Sequence, residues 1–265
     1  MLAIMGYDGT VVTSLQGTEV QGWLQQAGAR IWINLEHPTK AEEQEVRTFL
    51  TWPPLNGAGW SPAAAYLHPT PRFITGYIPL PPHNSLIFCL GPQFLYTQQQ
   101  DELRPLSLLW HTYQQELKRW PYGLDYLLYQ LLDQLATTSL ATLETYRAEL
   151  TQPPPHTTPL PLTHRAHHLA SLNYELQQWH SLSGQLAVLT HELLDANTNY
   201  HCRELQRRIA AQKEEVILLQ NWITIHQQEA QTHQTQQTQR WLHLIVWLLV
   251  AWILIYLIMT VLLSS

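Results

Sequence analysis

The sequence predicts an α+β protein: an N-terminal α/β body with a mixed sheet, then a long stalk helix that continues into a single C-terminal transmembrane helix. Three observations carry that prediction. Trp241 to Leu263 contains no charged residue, and about 23 residues at 1.5 Å each cover roughly 34 Å, enough to cross a bilayer core with slight tilt. Before Leu103, short β-prone runs punctuated by Gly and Pro are interleaved with brief helical patterns. After Leu103 the apolar period is helical almost throughout. The organisation that follows is a body over residues 1–150, a proline-rich linker over 151–163, a helical stalk region over 164–240 and the span over 241–263.

In chain order, Ala3–Met5 and Thr10–Thr13 flank Tyr7-Asp8-Gly9, an Asp-Gly turn between β-prone runs, which predicts an opening hairpin. Glu19–Gln26 is expected to be a short helix. Arg30–Leu35 alternates as a half-buried strand does, and His37-Pro38-Thr39 leads into a helix over Ala41–Trp52 whose early Glu42, Glu43 and Glu45 suit a helix N-terminus. Arg72–Ile78, Ser85–Leu90 and Gln93–Thr97 read as strands, the last two separated by Gly91-Pro92, and together they predict a mixed sheet. Leu106–Trp120, stopped by Pro121, and Leu124–Leu150 are expected as helices packed behind it.

Residues 151–163 hold Pro153, Pro154, Pro155, Pro159 and Pro161, too many for a helix interior or a central strand, so they form a stiff connector. A helix over Leu162–Thr190 and another from Asn197 into the membrane follow. In the second, Leu205, Ile209, Gln212, Val216, Leu219 and Ile223 are spaced alternately four and three apart, a 3.5-residue seam that favours a coiled-coil or bundle contact. Beyond Ile223 the seam positions become His226, Ala230, His233 and Gln237 inside a Gln-rich run, which has no apolar face to bury and must meet water or line a wet passage.

Composition excludes several classes. Formal net charge is −6 and 13% of residues are charged, so there is no basic stripe for nucleic acid and none is expected as a partner. Cys89 and Cys202 form no CxxC pair; a reducing compartment and small buried apolar roles are expected, not a disulfide or zinc site. No nucleophile-base arrangement, dinucleotide fingerprint, P-loop or HExxH is present, so the chain reads as a non-enzyme with no cofactor. Met1 to Asp8 lacks the pattern of a cleaved signal. Arg203, Arg207, Arg208, Lys213 and Arg240 precede the span and only Ser264 and Ser265 follow it, which places the body in the cytoplasm of a single-pass protein.

Candidate ion-path residues are few. His226 and His233 lie seven apart on one helical face, as ring-forming positions would in an oligomer, and His243 and Thr260 are the clearly polar residues within the span. Ser264 could contribute a hydroxyl ring at the far mouth, since magnesium is selected through oxygen ligands that keep its water shell. His164, His167 and His168 have ligand-like spacing but lack the partners of a tetrahedral site, and Asp101-Glu102 and Glu214-Glu215 match an ordinary solvated helix face as well as a cation site.

Four strings in order carry a family resemblance. Ile31-Trp32-Ile33-Asn34-Leu35-Glu36-His37-Pro38-Thr39 looks like a Trp-Ile-Asp-Leu strand with its Pro-Thr helix entry, and Leu86 to Thr97 like a paired-strand signature with Gly-Pro at its turn. Leu127-Leu128-Tyr129-Gln130-Leu131-Leu132-Asp133 looks like a Leu-rich helix preceding Asp, and the helix from Tyr200 runs unbroken into the span. In this order the chain resembles the CorA family of magnesium and divalent cation transporters. The resemblance implies a cytoplasmic α/β body, a stalk, a funnel-shaped homopentamer in the lipid bilayer, and Mg2+ or another divalent cation as transported ion. The family's Gly-Met-Asn occurs nowhere in these 265 residues, and its place by ungapped counting falls near Leu262-Leu263-Ser264. The usual Asn at the span's start falls near Thr238, the span has no proline, and the family's acidic metal-sensing positions fall near Arg203 and Gln206. These departures support an alternative, a non-conducting membrane-anchored adaptor or regulator that kept the body and stalk.

Overall fold

A computed structural model describes residues 1–50, 64–80, 84–151, 162–189 and 191–264; within its helices the side chains at 146, 149–151, 162–165, 226, 227, 229–231, 233, 234 and 250–264 lie outside the description. The strands β1 (Leu2–Tyr7), β2 (Val12–Ser14), β3 (Arg30–Glu36), β4 (Tyr66–Pro69), β5 (Ile74–Leu80), β6 (Asn84–Leu90) and β7 (Phe94–Gln99) form one sheet in the order β2-β1-β3-β7-β6-β5-β4. Among the described residues only β3 and β7 pair in parallel, with Trp32 beside Leu95 and Asn34 beside Thr97. The other neighbours are antiparallel. The sheet is therefore mixed, as expected.

Local chemistry explains the opening turns. The Asp8 carboxylate accepts from the Thr10 and Val11 amides, both at 2.8 Å, while Gly9 takes φ 104°, a backbone that only glycine adopts cheaply. Helix α1 (Gly17–Leu24) starts on a capping box between Gln16 and Glu19, and α2 (Lys40–Phe49) on one between Thr39 and Glu42. Trp52, where the second of these helices was expected to end, lies outside the described residues.

The period-two alternation of β3 sorts its side chains onto two faces. Ile31, Ile33 and Leu35 pack with Val20, Val46 and Phe49 of α1 and α2. Trp32 faces the opposite layer, together with α3 (Arg104–Gln115) and α4 (Leu124–Thr151). There its ring lies 4.8 Å from Trp110 and edge-on to Tyr113, and its indole N–H donates to Thr97 Oγ1 at 3.1 Å. Helices thus cover both faces of the sheet, and not only the one behind it.

Two expectations need correction. Leu106–Trp120 is not one helix: α3 stops at Gln115 and a 3-10 turn (Leu117–Tyr122) follows, with Pro121 inside it. The break lets Trp120 turn back into the core, where its indole donates to the Tyr113 carbonyl at 2.9 Å and its ring stacks on Tyr7 at 5.5 Å. Strand β4 was not anticipated. It is a short edge strand, and glutamines of α5 (Leu162–Val188) meet one amide within it and one just before it: Leu67 N donates to Gln185 Oε1 at 3.2 Å and Ala65 N to Gln178 Oε1. A covered edge cannot recruit another strand.

The two cysteines, Cys89 in β6 and Cys202 in the last helix, are free and buried. Burial pushes both thiols up to about 12. At pH 8 each is almost wholly the unreactive thiol, so neither is expected to label with a thiol-specific reagent in the native protein, while both label once denatured. Rapid labelling of either at native pH would contradict the burial.

The candidate ion-path helix and its anchor

Helix α6 (Ala196–Ser264) is one unbroken element of 69 residues. Its N-terminus is held by a side chain from another helix. Asp125, the second residue of α4 and almost fully buried, accepts from the Asp195 amide at 2.9 Å and from the Thr198 hydroxyl at 2.7 Å. A carboxylate there satisfies otherwise unpaired N-terminal donors and complements the positive end of the helix dipole. Asp125→Ala is expected to lower stability by about 2 kcal/mol, the upper range for a lost cap, and to loosen proteolytic protection at residues 189–200 first. A melting temperature unchanged from the wild type would refute this anchoring role.

A second tie comes from the turn ahead of α6. His191 Nε2 lies 2.7 Å from the Thr70 carbonyl, and its Nδ1 accepts from the Leu193 amide at 3.1 Å. Both contacts are satisfied by the neutral Nε2–H tautomer, assigned from its partners. The turn is thereby fastened to the loop between β4 and β5.

Along the stalk, α6 packs antiparallel on α5. Leu205, Ile209, Val216 and Ile223 are buried, with Gln212 and Leu219 half-buried between them. They join Leu169, Leu172, Leu176, Trp179, Leu182 and Leu186 of α5 in the same core as the sheet. The predicted 3.5-residue seam is therefore a bundle contact within one chain. The opposite side is open: Leu218 is 67% exposed and Ile225 53%. The stalk joins α4 through ordinary ion pairs, Glu215 with Arg147 at 3.2 Å and Arg208 with Asp133, each of small energetic weight at the surface.

No family model and no curated protein matches the chain. Solved structures do match in fold. The full-length CmaX protein aligns with a TM-score of 0.67 at 14% identity, covering 92% of this chain and 80% of that one. The soluble domain of CorA from Methanocaldococcus jannaschii aligns at 0.63 and 14%, covering 84% and 94% respectively. The fold is that of the CorA soluble domain. The complete CorA magnesium transporter from the same organism aligns at 0.61 and 11% identity, covering 84% of this chain and 74% of that one.

In this CorA-like frame the positions expected to sense metal have structural work instead. Arg203 Nε donates to the Ala187 carbonyl at 3.3 Å, closing the C-terminal turn of α5. Gln206 lies against Gly184, where a Cβ would come within 2.6 Å of its amide nitrogen. Glycine at 184 lets the two helices approach closely. Among the described residues no group of three His, Cys, Asp or Glu is placed to hold a metal ion.

All five candidate ion-path residues lie on α6. Within one chain they do not form a cluster: positions 226 and 264 are about 57 Å apart along the axis. At about 100° per residue, positions 226 and 233 fall within about 20° of each other, 243 about 80° further round, and 260 and 264 about 160° from 226. Only copies of the chain arranged around an axis would bring like positions into rings. His243 is exposed, whereas the side chains of His226, His233, Thr260 and Ser264 lie outside the described residues.

The first part of the apolar run is described. Trp241, Leu242, Leu244, Ile245, Val246, Trp247, Leu248 and Leu249 are each at least half exposed. Side chains from Val250 onward lie outside the description, and among the described residues no helix is long and apolar enough to cross a membrane. A contiguous exposed apolar surface of this kind requires a covering phase or partner.

Proposed function

We propose that this chain is a CorA-like membrane protein that takes part in transport of magnesium or another divalent cation across the membrane. In this reading it assembles as an oligomeric, channel-like pore, with the body in the cytoplasm and residues 241–263 as the span. One observation carries the reading: α6 leaves a body with the CorA soluble-domain fold and continues without a break into an apolar run whose described side chains are exposed. One of the structures that share the fold is that of a complete magnesium transporter. Like positions such as His226, His233 and His243 would then ring the axis, and pentameric symmetry follows from the family resemblance. The body-side excess of Arg and Lys on the stalk supports the cytoplasmic placement.

A second reading is a non-conducting, membrane-anchored adaptor or regulatory subunit. It is favoured by Arg203 and Gln206, which pack against α5 at the positions where the family resemblance expects acidic metal sensors. Purified full-length protein in liposomes loaded with a magnesium-sensitive dye separates the two. Uptake of Mg2+ above that of empty liposomes supports transport. An intact oligomer by mass measurement in detergent, with no uptake of Mg2+, Co2+, Ni2+ or Zn2+, establishes the adaptor.

A further inference from the structure

At the end of the body where α6 begins, a cleft of about 540 Å³ opens between the β6–β7 turn, the start of α4 and the turn between α5 and α6. Arg30 and Arg72 line it from the sheet side, Asp125 and Glu192 from the helical side. None of the four forms an ion pair with another among the described residues. Two of them are fixed from behind. One guanidinium nitrogen of Arg30 donates to the Trp120 carbonyl, and Asp125 is held by the first residues of α6. A guanidinium has five N–H donors, so Arg30 keeps donors beyond the one that positions it. Arg72 and Glu192 stand on the rim, both exposed.

The charges do not balance. Two guanidinium groups supply two positive charges, and the N-termini of α4 and α6, both at Asp125, add about half a charge each. Against these stand Asp125, whose carboxylate is engaged by the α6 donors, and the solvated Glu192. The surplus is about one positive charge, and it lies on the arginine side of the cleft.

We propose that this cleft binds a small oxyanion, a phosphate or carboxylate group carried by a soluble molecule, between Arg30 and Arg72. Arginine suits the role because its planar donors match paired oxyanion oxygens. A lipid headgroup is not the source, because the start of α6 and the start of the apolar run are about 68 Å apart along the helix. The site lies outside the ion path and does not depend on transport.

Titration calorimetry of full-length protein in detergent tests it, with inorganic phosphate as the probe, ionic strength matched between syringe and cell with sodium chloride, and no divalent cation present. Saturable binding near one phosphate per chain is expected. Arg72→Gln, at an exposed position, is expected to weaken it about tenfold with an unchanged melting curve, as for a lost charge-assisted hydrogen bond. Glu192→Gln is expected to tighten binding about threefold by removing an opposing charge. Phosphate should also raise the melting temperature of the wild type, and Arg72→Gln should need about ten times the phosphate concentration for the same rise. Non-saturating heats for the wild type, or equal affinity in wild type and Arg72→Gln, overturn the proposal whatever the outcome of the transport assay.

Discussion

Replacing Leu249 and Ile253 together by arginine is expected to move the protein out of the membrane fraction. Each arginine near the centre of a span costs about 2.5–3.5 kcal/mol on the insertion scale, and each lost Leu or Ile removes a few tenths more, so the pair costs about 6–8 kcal/mol. That exceeds what snorkelling recovers at helix ends, because positions 249 and 253 sit near the middle of 241–263. Extraction of membranes at alkaline pH reads the result. Wild-type protein should stay with the lipid and the double variant should appear in the supernatant or as aggregate. If wild type and variant partition alike, the run from Trp241 meets protein instead of lipid, and the membrane assignment is lost. The exposed apolar side chains of Trp241 to Leu249 are what make the experiment decisive, since each is at least half exposed among the described residues.

Ile209→Asp is expected to unfold the stalk. Ile209 is fully buried between α5 and α6 in the core that also holds the sheet. Removing a buried isoleucine costs about 2–5 kcal/mol through lost burial and cavity, and an unpaired buried carboxylate adds several more unless it takes up a proton. Total stability of a domain is about 5–15 kcal/mol, so one substitution here removes most of it. Leu218→Asp is the comparison: at 67% exposure its effect on a single chain is expected within about 0.5 kcal/mol. Tryptophan fluorescence during urea denaturation in detergent measures both. Equal loss from the two would show that both faces of α6 are covered, and hence that the open face is an interface between copies.

The parts of this fold that were legible beforehand share a cause, which is that their signal is local. The β3 strand is marked by its alternation, and the α2 entry by His37-Pro38-Thr39 ahead of Glu42, Glu43 and Glu45. The seam from Leu205 to Ile223 showed the period of a packed helix, though not its partner. Period alone cannot say whether the matching face belongs to α5 of the same chain or to a second copy. The break after Gln115 was misplaced because Pro121 is the louder signal. The helix ends earlier so that Trp120 can reach Tyr113 and Tyr7. Strand β4, with His68 and Pro69 in it, has almost no β signal and exists because β5 and the glutamines of α5 complete it. Asp125 sits in the first turn of its own helix, and nothing local in the sequence indicates that it holds the start of another, seventy residues on.

By itself, then, the amino-acid order determined the mixed α+β class, the uncharged run at 241–263, the continuity of the last helix into it and the resemblance to CorA proteins, all of which depend on spacing along one segment. Only the tertiary structure decided that the α6 seam is closed within the chain, that Arg203 and Gln206 serve packing, that Asp125 anchors the long helix, and that Arg30 and Arg72 share a cleft. Each of these depends on side chains from segments distant in sequence meeting in one place. No periodicity encodes such a meeting, because burial and hydrogen-bond geometry select it only when the whole chain is folded.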